Sequence, residues 1–176
     1  MVAAVFAGAL AAALFATASP SAHGLTLETD GVFSPPAKNV AAQAVTYDQK
    51  LVPAGSWISV RQRVQPNGAT TVELKVTGLQ PNHLYGVHVH QKTCGADPAA
   101  AGKHYQDQAG TDPAHVNNKN EVWLDFKTDK SGNGSASAQH TWAFRKGEAG
   151  SVVIHSTPGT KGARAACFSV PFAAKP

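Results

Sequence analysis

Between Leu84 and His90 the chain reads Leu-Tyr-Gly-Val-His-Val-His, and this alternation constrains the rest of the molecule. Side chains on a β-strand point to opposite faces with a period of two. His88 and His90 therefore share one face, and Val87 and Val89 turn toward whatever core lies behind. Two imidazoles on one rigid strand face form half of a metal site before any other segment folds. Further donors have to come from elsewhere in the chain, and His104 and His155 are the candidates.

The segments around this strand carry the same period. Thr70–Thr77 sets Val72, Leu74 and Val76 on one face, Trp57–Val64 alternates in part, and Pro66-Asn67-Gly68 supplies a turn between them. Residues 57–77 are read as a hairpin. Ala44–Tyr47 is a short strand. Glu121–Thr128 places Val122, Leu124 and Phe126 on one side, Asp129–Gly134 is a turn, and Ser135–Phe144 returns as a polar strand. Gly150–His155 reads as a short buried strand ending on a histidine, and Ala165–Phe172 closes the chain. No segment has the pattern of an amphipathic helix. About eight strands without helices predict an all-β fold, an antiparallel Greek-key β-sandwich or flattened barrel. Gln91–Asn120 has no usable period yet contains Cys94, His104, Asp107, Asp112 and His115. So long a stretch without regular structure inside a compact domain is usually functional or clamped.

The 176 residues suffice for one well-buried domain and are short for two. The formal charge is +4, but Lys75, Lys92, Lys103, Lys119, Lys127 and Lys130 are dispersed, which excludes a nucleic-acid surface built on clustered bases. A mild positive field that attracts small anions is compatible with this balance. Met1–Ala22 is apolar and uncharged and contains Ala16-Thr17-Ala18-Ser19-Pro20. That is the pattern of a secretory signal peptide cleaved after Ala18, here without a basic start; a membrane-anchoring helix over Val2–Ala18 is the alternative. The expected organisation is a signal peptide over 1–18, an N-terminal arm over 19–39 and one domain over 40–176. With Gly24, Gly31, Pro35 and Pro36, the arm reads as a tether or a loosely docked segment. Export, to the medium or the cell envelope, puts Cys94 and Cys167 in an oxidising setting where a pair is read as a bridge. Such a bridge would contribute about 4 kcal/mol in the chain-entropy model; two free buried thiols are the alternative.

These residues together resemble a known family. Gly78-Leu79-Gln80-Pro81-Asn82, followed by Gly86-Val87-His88-Val89-His90, is similar to the copper strand of the copper/zinc superoxide dismutases. Gly102-Lys103-His104-Tyr105 resembles the segment whose histidine bridges copper and zinc. Ser151–His155 resembles the strand ending in the fourth copper histidine, and Gly162-Ala163-Arg164-Ala165-Ala166-Cys167 resembles the segment with the anion-guiding arginine and second disulfide cysteine. The motifs occur in the family's order over most of residues 40–172. The resemblance implies copper ligands His88, His90, His104 and His155, with Arg164 and His104 as catalytic residues. Neutral imidazoles suit copper on chemical grounds as well.

Two departures accompany the resemblance. After His104 the loop offers only His115, which is followed by Val116-Asn117-Asn118, so the family's remaining zinc donors are missing. Asp107 and Asp112 are candidate substitutes, but one shared histidine and replacement donors make a poor four-donor zinc site. Between His155 and Arg164 stand only Ser156 to Ala163, so the long charged loop of the family is deleted. Both losses resemble the copper-only branch, in which a carboxylate orients the bridging histidine. Asp107, Asp112, Glu121 and Asp125 are the candidates, with no choice among them. Trp57, Trp123 and Trp142 are read as packing residues. The implied activity is dismutation of superoxide to oxygen and hydrogen peroxide by an exported monomer. A copper donor is a candidate partner, and no membrane association is expected after signal cleavage. The alternative is a non-catalytic copper-binding or copper-delivery protein on the same fold, for which a cation at Arg164 would have no use.

Overall fold

The computed structural model describes residues 24–37 and 43–174. The signal-peptide segment 1–18 lies outside the described residues. Among the described residues, nine strands form two antiparallel sheets. The strands are β1 (Leu25–Val32), β2 (Ala44–Thr46), β3 (Trp57–Val64), β4 (Thr70–Thr77), β5 (Leu84–His90), β6 (Phe126–Lys127), β7 (Gly134–His140), β8 (Ser151–His155) and β9 (Arg164–Ser169). One sheet has the order β1-β3-β4-β7 and the other β2-β9-β8-β5-β6. The all-β sandwich expected from the alternation is the fold observed.

The first sheet shows the half-buried pattern that made its strands legible. Ile58, Val60, Val72, Leu74 and Val76 face the core, and Arg61, Arg63, Glu73 and Lys75 face outward. Each such apolar side chain contributes about 1.5–3 kcal/mol by leaving water. Gln62 is a polar residue on the same inner face. It exchanges two hydrogen bonds with the backbone of Ala173, which fastens the C-terminal segment.

The second sheet is covered on both faces. Val87, Val89, Val152, Ile154, Ala166 and Phe168 enter the central core. On the opposite face Val153 and Cys167 pack with Ala101 beneath the long loop. That loop stays ordered with little regular structure. Short 3-10 turns at Pro98–Ala101 and Pro113–His115 are capped by the carboxylates of Asp97 and Asp112. The Cys94–Cys167 disulfide ties its start to β9. Arg145 donates to the carbonyls of Gln106 and Asp107, lies over the Tyr105 ring and pairs with Glu148.

Three expectations need correction. Residues 25–32, assigned above to a loosely docked arm, form β1, paired along its whole length with β3. Leu25, Leu27, Thr29 and Gly31 do alternate, but as an edge strand β1 is largely exposed and its signal was weak. The strand expected over 121–128 pairs as a ladder only at Phe126–Lys127. The polar strand expected to reach Phe144 ends at His140.

Candidate metal centre

β5 and β8 run side by side, with His88 opposite Val153 and Gly86 opposite His155. This register brings His88, His90 and His155 to the face beneath the long loop. The loop then returns along β5: Tyr105 donates its N–H to the carbonyl of Val89, and His104 bridges to His90. The potential ligand atoms of His88, His90, His104 and His155 all lie within 4.8 Å of one another. Among the described residues this is the one group of three or more His, Cys, Asp or Glu side chains so gathered. The four histidines singled out in the sequence are therefore brought together.

Hydrogen bonds fix which nitrogen is free in three of the four rings. His90 Nδ1 donates to the carbonyl of Gly102 at 3.1 Å, and His155 Nδ1 donates to that of Gly162 at 2.9 Å. A carbonyl can only accept, so the proton sits on Nδ1 and Nε2 keeps its lone pair. The two Nε2 atoms then face each other at 3.4 Å with no proton between them, an arrangement that a cation completes. His104 Nδ1 donates to Glu121 Oε2 at 2.8 Å, leaving its Nε2 free as well. His88 is fully buried. Its Nε2 stands 3.4 Å from Asp125 Oδ1, too far for a well-formed hydrogen bond, and its Nδ1 has no protein partner. Buried polar atoms without partners are rare and costly, and a metal ion is the partner that this imidazole set fits.

Burial, together with the neighbouring imidazoles and Arg164, pushes the pKa of His90 down to about 2 and that of His155 down to about 4. Both rings are thus held in the neutral, metal-binding form. For Glu121 burial acts to raise the pKa, but hydrogen bonds from His104, Gln106 and Trp123 outweigh it and the carboxyl is held below its ordinary value. Asp125 follows the same balance: burial acts upward, and His88 with the N–H groups of Gly159 and Val87 brings the net shift downward.

Two glycines make the backbone geometry available. A Cβ on Gly86 would stand 2.5 Å from the carbonyl oxygen of Thr157, so only glycine lets the 156–163 turn lie against β5. Gly102 adopts φ +73°, a left-handed conformation that favours glycine, and its carbonyl serves His90 and Arg164 together. Arg164, opposite His155 across the β8–β9 ladder, donates one arm of its guanidinium to Gly102 and the other to the carbonyl of Pro98. The cation is fixed beside the histidines by two backbone acceptors.

The carboxylates left open by the sequence now separate. Glu121 is the one that meets His104. Asp125 accepts from the N–H groups of Val87 and Gly159 and faces His88. Asp112 caps the 113–115 turn. His115 packs against Gly110 with its Nδ1 unpartnered, and neither it, Asp107 nor Asp112 joins the histidine group. Sequence reasoning missed two residues. Gln106 donates to Glu121 Oε1 at 2.9 Å, and Trp123, read as packing, donates its indole N–H to Glu121 Oε2 at 2.9 Å. Gln106 stands two positions after His104 and Trp123 two after Glu121, but no local pattern marks either as a partner of Glu121, because the contacts form only when the loop folds back.

Comparison with known proteins supplies the remaining constraint. No curated protein matches the chain. The family model for copper/zinc superoxide dismutase (SODC) matches residues 55–168, a span from β3 to β9 that includes all four histidines, both cysteines and Arg164. With its two-sheet fold and its gathered imidazoles, the chain belongs to the copper/zinc superoxide dismutase family.

Proposed function

We propose that the protein is an exported, copper-dependent superoxide dismutase of the copper-only kind. The observation that carries this reading is the convergence of four imidazoles, three with a free Nε2, beside a guanidinium fixed by two carbonyls. Copper held by His88, His90, His104 and His155 would supply the one-electron couple by which two superoxide anions and two protons become oxygen and hydrogen peroxide. The remaining chemistry belongs to the chain. Arg164, permanently cationic, attracts and orients the anion. With its Nδ1 proton committed to Glu121, His104 has only Nε2 at which a proton could be taken up and passed to the peroxide product. Glu121 stands at His104 Nδ1, where a second metal would otherwise bind, and this is the support for a single-metal centre.

With only Ser156–Ala163 between His155 and Arg164, the anion's approach depends on Arg164 more than on a charged loop. Metal analysis and a dismutation assay on the copper-loaded chain test the reading. One copper per chain, no stoichiometric zinc and rapid dismutation are expected. Arg164→Ala should lower the rate about tenfold and flatten its decline with ionic strength. Copper binding without dismutation would leave a copper carrier, and an unaffected Arg164→Ala would remove the steering role.

A further inference from the structure

We infer that Trp123, assisted by Gln106, is a positioning residue for the metal centre, clamping the Glu121 carboxylate and so the orientation of His104. The inference rests on the copper-binding reading above and deepens it. Glu121 is almost fully buried, and its carboxylate receives three protein N–H donors. Oε2 accepts from His104 Nδ1 and from Trp123 Nε1, and Oε1 accepts from Gln106 Nε2. A carboxylate with donors on both oxygens cannot rotate about its terminal bond without breaking hydrogen bonds in a buried setting. Its plane is fixed, and with it the His104 imidazole.

Trp123 also touches a second ligand. Its ring stands edge-on to that of His88, with centroids 5.4 Å apart and planes at 63°, and the two residues form a backbone bridge. One indole therefore restrains His88 from β5 by contact and His104 from the loop through Glu121. Gln106 is anchored in its turn: its Oε1 accepts from the N–H of Gly110, and its carbonyl accepts from Arg145. Supporting groups of this kind set how closely a ligand set matches its metal before the metal arrives.

The test uses the full chain, prepared metal-free and titrated with Cu(II) against a competing chelator, with the Cu(II) electron paramagnetic resonance spectrum as a second readout. Trp123→Phe keeps a ring against His88 and removes the N–H; Gln106→Met keeps length and removes the amide. Each should weaken Cu(II) binding roughly three- to tenfold, short of the effect of Glu121→Gln, and should shift the copper hyperfine splitting. In a Glu121→Gln background Trp123→Phe should add little, since its effect passes through the carboxylate. An undiminished loss in that background would mark Trp123 as mere packing and overturn the proposal. So would unchanged affinity and spectrum in Trp123→Phe or, if that variant does not fold, in Gln106→Met. If Glu121→Gln weakens binding and neither other variant does, the clamp fails and the copper reading survives. A wild-type chain that binds no copper overturns both.

Discussion

His88, His90 and His155 stand on strands, whereas His104 stands on a loop, and the two regions hold their ligands by different means. On β5 and β8 the ladder itself sets the spacing, and the valines that alternate with the histidines anchor the strands in the core. On the loop no ladder exists. His104 is placed by a backbone bridge to His90, by Glu121, by the Arg145 contacts just beyond it and by the Cys94–Cys167 bond before it. A strand ligand is fixed by repeating backbone bonds. A loop ligand needs a separate side-chain contact for each degree of freedom, so its environment is richer in polar partners.

The largest effect expected from breaking this contrast is at the ligands. His90→Ala should reduce copper binding by more than the roughly 100-fold that changes at ligand-supporting residues can reach, and should abolish dismutation. His104→Ala should leave the three strand imidazoles to retain copper more weakly while activity is lost. Equal copper affinities for the two variants, measured by competition titration, would erase the distinction.

Next in size is the disulfide. Replacing both Cys94 and Cys167 by Ser should lower stability by about 2–5 kcal/mol. Hydrogen exchange should locate the loosening in the 91–124 loop before it reaches β5 and β8. Uniform loss of protection across sheet and loop would show that the loop is not a separate unit.

A third effect concerns pH. In the metal-free protein His90 and His155 are neutral down to about pH 2 and about pH 4, against an ordinary value of 6.5. Below 6.5 the unfolded chain binds protons that the folded chain refuses, so stability present above pH 6.5 is lost as the pH falls. The His155 share of the loss is complete near pH 4 and the His90 share only near pH 2. A thermal melting series on the metal-free protein from pH 7.5 to 4 should therefore show a falling midpoint, and a flat series would contradict the buried neutral state of these strand ligands.

The hairpin of β3 and β4 and the histidine strand β5 were legible because a sheet with one wet face writes its period into the side chains, as Val72, Leu74 and Val76 do against Glu73 and Lys75. The arm containing β1 was misjudged for the converse reason. An edge strand with both faces partly in water has little hydrophobic contrast to read. Glu121 could be named only as one of several carboxylates, because a contact spanning the interval from His104 to Glu121 leaves no local pattern.

By itself the sequence determined the all-β class, the pairing open to the two cysteines and the two imidazoles that share a face of β5, since these follow from residue type and strand period; His104 and His155 were joined to them by the family resemblance. Tertiary structure alone decided which carboxylate meets His104, that Trp123 and Gln106 brace it, and that Arg164 is held by Gly102 and Pro98. Those contacts depend on how one irregular loop folds back across a finished sheet, and the shape of that path is set by many weak bonds made at once.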